Sequence, residues 1–430
     1  MTTPDRRHVE ADPAKALRWL KELVRAGGGG PAAVRENIAR QMAEAGCAIE
    51  ELVYRPDAVP VVDEFASASV ASSAAETATI GRLKGMGGGR SLLLFAHPDT
   101  EPFREEPAWR SEPFVPTTRD GRLYGWGVAD DLAGCATLSA AIVALREAGL
   151  RPKGAVRLVA APSKRHRRGI SAALHAGLRA DAALYLHPAE SGRGLGEIKA
   201  FAPGQLEFAV TVEGRPPDTS EPAHVAFAHL AVNPIAKALP ILAALEAFDR
   251  QRAGRIRHPR LEAAIGRSTN LMVSHIQAGA MDATTRIPPA CRIRAALSLI
   301  PGEALDVVMR AVDSVLAEVA AADRWLAAQA PKLDWLAGVS AAETPDDDPF
   351  YRLVERVVEI AGTRPVVNPL HASSDIRNPI VQAGIPTLGI GPLCGGLTMS
   401  GLADEWVDIK DYLRSIRVVA RIIAEWCGTA

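Results

Sequence analysis

The feature that most constrains the fold is a short, uninterrupted apolar run, Leu92-Leu93-Leu94-Phe95-Ala96, which ends at His97. A run without polar alternation is typical of a strand that is buried on both faces. Further strands are predicted at residues 155–161 and 182–186, with helices at residues 135–148 and 171–176. Strands alternating with helices predict an α/β fold, with a mostly parallel sheet in the catalytic domain and helices on both of its faces.

The chain has 430 residues, more than a single hydrophobic core usually serves, so two domains are expected. From Gly204 onward the pattern changes to an alternating strand, a helix, two more strands and a helix. This order predicts a small inserted α+β domain. We therefore assign residues 1–200 and 321–430 to a catalytic metal-binding domain, and residues 201–320 to an inserted lid or dimerisation domain.

Composition argues against several classes of partner. The formal net charge is -1, whereas a nucleic-acid surface requires a clear excess of positive charge. No apolar segment is long enough to predict a membrane span, and the N-terminal residues do not resemble a signal peptide. The five cysteines are scattered without metal-site or redox spacing, which favours free thiols and a cytoplasmic location.

Three polar residues stand at, or just past, the C-terminal ends of predicted sheet strands: His97, Asp130 and His187. Ligands bind at this edge in open parallel sheets, and imidazole with carboxylate is a ligand set for zinc, manganese, iron or nickel. Each residue taken alone has an ordinary structural explanation. A histidine at a strand end is more often structural, and Asp130 with Asp131 could cap the following helix.

Two motifs favour a metal site over these structural explanations. Phe95-Ala96-His97-Pro98-Asp99-Thr100 and the stretch at residues 123–134, Leu-Tyr-Gly-Trp-Gly-Val-Ala-Asp-Asp-Leu-Ala-Gly, resemble the first two metal motifs of the aminoacylase, carboxypeptidase G and desuccinylase superfamily. Three later segments, at residues 373–377, 391–392 and 404–407, resemble its C-terminal motifs. The resemblance implies that His97, Asp130 and His187 bind one metal, with Asp99 orienting His97.

The chain also departs from this family. Where relatives carry two adjacent glutamates, a general base and a ligand, it reads Pro162-Ser163-Lys164-Arg165-His166, and no histidine stands shortly before Glu405. Both groups that serve only the second metal are missing, which predicts one divalent ion, manganese or zinc. Lys164 and Arg165 could supply the absent positive charge, or residues 164–168 could form only a solvated basic loop.

Because the general-base glutamate of the family is missing, another residue must carry the proton. The candidates are Asp131, Glu190, His371 and Glu405, and Glu190 is favoured because it follows His187 by three residues. The catalytic residues are therefore predicted as Asp99, Asp131 and Glu190. Substrate binding is assigned to Arg286, Arg377 and His224, because paired arginine hydrogen bonds suit a substrate carboxylate. Surface ion pairs are an equally good explanation of each arginine taken singly.

The altered residues resemble most the superfamily branch of aromatic aminohydrolases, such as those that act on 5-nitroanthranilate. The expected function is hydrolytic deamination of a small carboxylate-bearing aromatic amine by metal-activated water. The alternatives are an amidase, aminoacylase or peptidase of the same superfamily, with one or two metals, and a catalytically inactive binding subunit. A homo-oligomer formed through the lid domain is expected from the same resemblance.

Overall fold

A computed structural model describes residues 9–68, 70, 72–103, 108–371 and 374–430. The chain divides into two compact units. Unit 1 comprises residues 1–62, 71–202 and 343–430, and unit 2 comprises residues 63–70 and 203–342.

Unit 1 is a mixed α/β unit with a six-stranded main sheet. In sheet order its strands are Ala48–Tyr54, Glu76–Leu83, Val156–Ala160, Leu92–Ala96, Ala182–Leu186 and Thr387–Ile390. Its helices are Pro13–Gly27, Pro31–Glu44, Ala133–Glu147, Gly169–His175, Pro349–Ile360, Arg377–Ala383 and Ile409–Cys427. A smaller antiparallel sheet contains Thr117–Arg119, Arg122–Tyr124, Trp406–Asp408 and Cys394–Gly395.

The α/β class is confirmed, but the prediction of a mostly parallel sheet is wrong. The four strands from Val156–Ala160 to Thr387–Ile390 are parallel to one another, whereas Glu76–Leu83 and Ala48–Tyr54 add antiparallel pairings at one side. The strand Ala48–Tyr54 is mostly exposed, so it lacks the apolar run by which buried strands are recognised. The sheet is therefore mixed.

Helices cover both faces of this sheet. Successive side chains of a strand point to opposite sides, so each strand contributes residues to a core on either face. Leu92 and Leu94 pack into one core with the helices Ala133–Glu147 and Ile409–Cys427. Leu93 and Phe95 pack into the other, with Ile170 of the helix Gly169–His175. The segment Val128–Glu147 is apolar and long enough to span a bilayer, but it is completely buried, as the central helix of a protein core is.

Unit 2 has a five-stranded antiparallel sheet in the order Leu271–Ala278, Ala290–Leu299, Gly204–Glu213, Lys332–Val339 and Glu64–Ala66. Its helices are Pro234–Arg255, Pro259–Ile265, Leu305–Ala322 and Arg324–Ala328. Its core contains Phe208, Ile241, Ile293 and Val312. Unit 2 extends to residue 342, beyond the expected boundary at 320, because Lys332–Val339 pairs with Gly204–Glu213. Residues 63–70 also belong to it, since Glu64–Ala66 pairs with Lys332–Val339.

Candidate metal centre

Two neighbouring parallel strands bring the two predicted histidine ligands to one edge of the unit 1 sheet. His97 follows Leu92–Ala96 and His187 follows Ala182–Leu186. Asp130 lies in the turn that leads into the helix Ala133–Glu147. All three residues are buried, and each offers a ligand atom within 4.8 Å of the other two.

The two imidazole rings face the same oxygen of Asp130. Asp130 Oδ1 lies 3.1 Å from His97 Nε2 and 3.3 Å from His187 Nε2. His97 Nδ1 lies 3.0 Å from the backbone carbonyl of Asp99. His187 Nδ1 lies 3.2 Å from the backbone carbonyl of Pro188. A carbonyl can only accept, so each Nδ1 donates, and the neutral form of each ring carries its lone pair on Nε2. In that form, the two imidazole nitrogens and the carboxylate oxygen fit a divalent transition metal.

The second oxygen of Asp130 has a different partner. Lys164 Nζ lies 2.6 Å from Asp130 Oδ2, and the Lys164 side chain is only 13% exposed. Burial lowers the pKa of Lys164, but the charge and hydrogen bond of Asp130 outweigh it and raise the pKa above its ordinary value. Burial raises the pKa of Asp130, yet hydrogen bonds to both histidines and the charge of Lys164 hold it well below its ordinary value. Lys164 thus belongs to the site and not to a solvated loop.

The two histidines differ in their electrostatic surroundings. Burial lowers the pKa of His97, but hydrogen bonds to Asp130 and Asp99 raise it well above its ordinary value. For His187, burial, aided by the nearby His371 and Lys199, outweighs the hydrogen bond to Asp130 and lowers the pKa to about 4. His187 is therefore neutral at physiological pH, the form in which imidazole binds a metal.

Asp99 contacts both His97 and the loop that carries Lys164. Its Oδ1 lies 3.4 Å from His97 Nδ1 and accepts a hydrogen bond from the Ser163 amide, at 2.9 Å. Its Oδ2 accepts from the Lys164 amide at 2.8 Å. This arrangement suits the predicted orienting role.

The remaining acidic candidates near Asp130 are engaged by the backbone. Asp131 is fully buried and accepts hydrogen bonds from the amides of His97 and Gly134. Glu405 accepts from the amides of Ala129 and Asp130 and from the Thr398 side chain. Burial and the charge of Asp130 raise the pKa of Glu405 to about 7. Both carboxylates are placed to hold the turn that carries Asp130.

Glu190 and His371 form a pair beside His187. His371 Nδ1 lies 2.7 Å from Glu190 Oε2, and the rings of His371 and His187 are 5.0 Å apart. Burial raises the pKa of Glu190, but the hydrogen bond from His371 and the charge of Lys199 help to lower it to about 2. Glu190 Oε1 and His371 Nε2 have no hydrogen-bond partner among the described residues.

A buried ion pair supports the backbone around His187. Lys199 Nζ donates to Glu197 Oε1 at 2.7 Å and to the carbonyls of Pro188 and His187, at 2.9 and 3.2 Å. Both side chains are completely buried. Burial raises the pKa of Glu197, but the charge and hydrogen bond of Lys199 lower it to about 2. The sequence interpretation missed this pair, because nothing in the spacing of Glu197 and Lys199 links them to His187.

The predicted substrate-binding residues lie in both units. Arg377 begins the helix Arg377–Ala383 of unit 1, and burial raises the pKa of the nearby Asp375 although the charge of Arg377 opposes this. Arg286 is an exposed residue between two strands of unit 2, and His224 Nδ1 accepts a hydrogen bond from the Ala226 amide there. Their roles stay predictions. Ser373, the first residue of one C-terminal motif, lies outside the described residues.

Comparison with known proteins assigns the chain to a family. The model of peptidase family M20/M25/M40 matches residues 93–425. The chain belongs to this family. The family resemblance expected from the motifs at His97 and Asp130 is therefore confirmed, and the chain is an M20-family hydrolase that acts on C–N bonds.

Relatives within the M20 family have several activities. The chain is 27% identical to a succinyl-diaminopimelate desuccinylase of Alkalilimnicola ehrlichii over 70% of this chain and 76% of that protein. A Staphylococcus aureus tripeptidase has a similar fold, with a TM-score of 0.70, 15% identity and coverage of 97% and 99% of the two chains. A dinuclear metal binding peptidase of the M20 family from Bacillus subtilis matches with a TM-score of 0.62, 16% identity and coverage of 97% and 100%. At these identities the structural matches show the fold alone.

Proposed function

We propose that this chain hydrolyses a C–N bond in a small carboxylate-bearing substrate and uses one divalent ion, manganese or zinc, held by His97, Asp130 and His187. The observation that carries the proposal is that the two oxygens of the Asp130 carboxylate have different partners. One oxygen faces the Nε2 atoms of His97 and His187, and the other is paired at 2.6 Å with the Lys164 ammonium group. A carboxylate that bridged two ions would need both oxygens, so Lys164 supports a single ion.

The residues around the ion position have separable roles in this proposal. A divalent ion bound there would supply Lewis-acid chemistry, acidifying water and withdrawing charge from a substrate oxygen. Asp99 orients His97, while Asp131 and Glu405 hold the turn that carries Asp130. Glu190 and His371 are the candidates to move a proton, because each has an atom without a hydrogen-bond partner among the described residues.

Two substrate classes are supported by different observations. The activity of the similar desuccinylase favours hydrolysis of an amide bond. The second candidate, deamination of an aromatic amine such as 5-nitroanthranilate, is favoured by the loop at residues 162–168, which carries Lys164 where a general base would stand. An electron-poor ring depends less on an oxyanion site built from two metals.

Metal analysis and a substrate screen test the proposal together. Chelator-free purification followed by mass-spectrometric metal analysis should give about one ion per chain, and His97→Ala should lose both the ion and turnover. His275→Ala, which changes an exposed histidine of unit 2, is the matched control. The screen covers N-acyl amino acids, N-succinyl amines, di- and tripeptides and aminobenzoates.

Three results would overturn the proposal. A chain that binds no divalent ion, even with substrate present, would refute the metal centre. About two ions per chain would indicate a dinuclear enzyme with unfamiliar ligands. Ligand-induced stabilisation without product would indicate a binding subunit.

A further inference from the structure

We infer that Glu190 and His371 form a subsite for an amino group, placed beside His187 to receive the nitrogen that leaves when the C–N bond is hydrolysed. The inference rests on the proposed function for the origin of the nitrogen. The subsite itself is argued from hydrogen-bond chemistry.

The first step concerns which atoms accept. Glu190 is a carboxylate, so in its 2.7 Å contact the Nδ1 atom of His371 must donate to Oε2. With Nδ1 donating, Nε2 is the acceptor in the neutral form of the ring. Glu190 Oε1 is also an acceptor. Both atoms are buried and have no hydrogen-bond partner among the described residues.

The second step concerns the cost of this arrangement. Buried acceptors are almost always paired, so two unpaired acceptors in adjacent side chains need an explanation. His371 is only 3% exposed, so bulk water does not solvate its ring. The two residues and His187 each offer an atom within 4.8 Å of the others. A small group that donates at least two hydrogen bonds would satisfy both acceptors.

The third step selects the ligand. An amine or ammonium group carries two or more N–H donors and no competing negative charge, so it complements a carboxylate oxygen and an imidazole lone pair. A hydroxyl group offers one donor only, and a carboxylate would be repelled by Glu190. Because His187 is also a proposed ligand of the ion, a nitrogen released there would lie next to both acceptors. A second divalent cation is the competing occupant, and it is separated from the amine by experiment.

The test uses zinc-loaded protein labelled with ¹⁵N-histidine and follows the ring nitrogens of His371, assigned by their loss in His371→Gln. Ammonium chloride should shift the Nε2 signal of His371 in a saturable way. Tetramethylammonium chloride, which has the same charge and no N–H donor, should not. In Glu190→Gln the ammonium affinity should fall about tenfold or more, because the hydrogen bond to a charged carboxylate becomes one to a neutral amide. Glu425→Gln, in the helix Ile409–Cys427, is the control and should match the wild type.

The inference is overturned if His371 does not respond to ammonium or responds equally to both salts. It is also overturned if a second equivalent of zinc shifts His371 and zinc binding to that site is lost in Glu190→Gln, because the pair is then a cation site. None of these readings requires turnover. Ammonium recognition in a protein without C–N hydrolysis would therefore refute the proposed function alone, and turnover without ammonium recognition would refute only the subsite.

Discussion

The ion pair between Lys164 and Asp130 gives the sharpest test of the single-ion site. Lys164→Met keeps the length of the side chain and removes its charge. The charges lie 2.6 Å apart, and at an effective dielectric constant of about 20 Coulomb's law gives about 6 kcal/mol of attraction. Desolvation offsets part of this attraction. Breaking a buried pair leaves one charge uncompensated and typically costs about 3–5 kcal/mol. We expect a loss of that size in the metal-free protein.

The same loop provides the control. Arg165 pairs with Glu101 at 2.6 Å, but the Arg165 side chain is 57% exposed, so Arg165→Met should cost only about 0–1 kcal/mol. The assay is urea unfolding of chelator-treated protein, repeated with saturating zinc. Zinc should stabilise Lys164→Met more than the wild type, because Asp130 then has no competing cation. Equal destabilisation by the two variants, or equal stabilisation by zinc, would refute the reasoning.

Three further predictions concern other parts of the centre. Glu197→Gln should cost about 3 kcal/mol at neutral pH, the equivalent of a pKa lowered from 4.5 to about 2. Because that stabilisation is present above pH 4.5 and is lost as the pH falls through about 2, the difference from wild type in urea unfolding should shrink on acidification. Gly134→Ala would place a Cβ 1.9 Å from the Leu186 carbonyl oxygen, so it should lower both the melting temperature and the zinc content. The control Gly254→Ala adds a Cβ in open space and should change neither quantity. Asp99→Asn should weaken zinc binding about 10–100-fold in a chelator competition, and unchanged affinity would remove its orienting role.

Local patterns account for what the sequence predicted well. The apolar run before His97 and the similar run before His187 became adjacent parallel strands, so two predicted ligands meet at one sheet edge. The strand Ala48–Tyr54 was not predicted, because an exposed edge strand carries no buried apolar pattern. The strand Lys332–Val339 was likewise missed, which misplaced the expected domain boundary.

Contacts between distant parts of the chain could not be read from spacing. Lys164 lies in a run of basic residues that suits a solvated loop equally well, and only the fold brings its ammonium group to Asp130. The pairing of Glu190 with His371 joins residues 181 positions apart. Both were candidates by residue type, but their partners are set by long-range packing.

The orientation of His97 and the position of Lys164 depend on the same carboxylate. Asp99 contacts His97 Nδ1 and also accepts hydrogen bonds from the amides of Ser163 and Lys164. Any shift of the Asp99 side chain would therefore move the histidine ligand and the loop whose ammonium group occupies the second oxygen of Asp130. A substitution that introduced a glutamate into this loop would not by itself create a second metal site, because Lys164 would still be held against Asp130 by its own backbone. Conversion to two ions should require replacement of Lys164 together with new ligands at residue 163 or 164 and before Glu405.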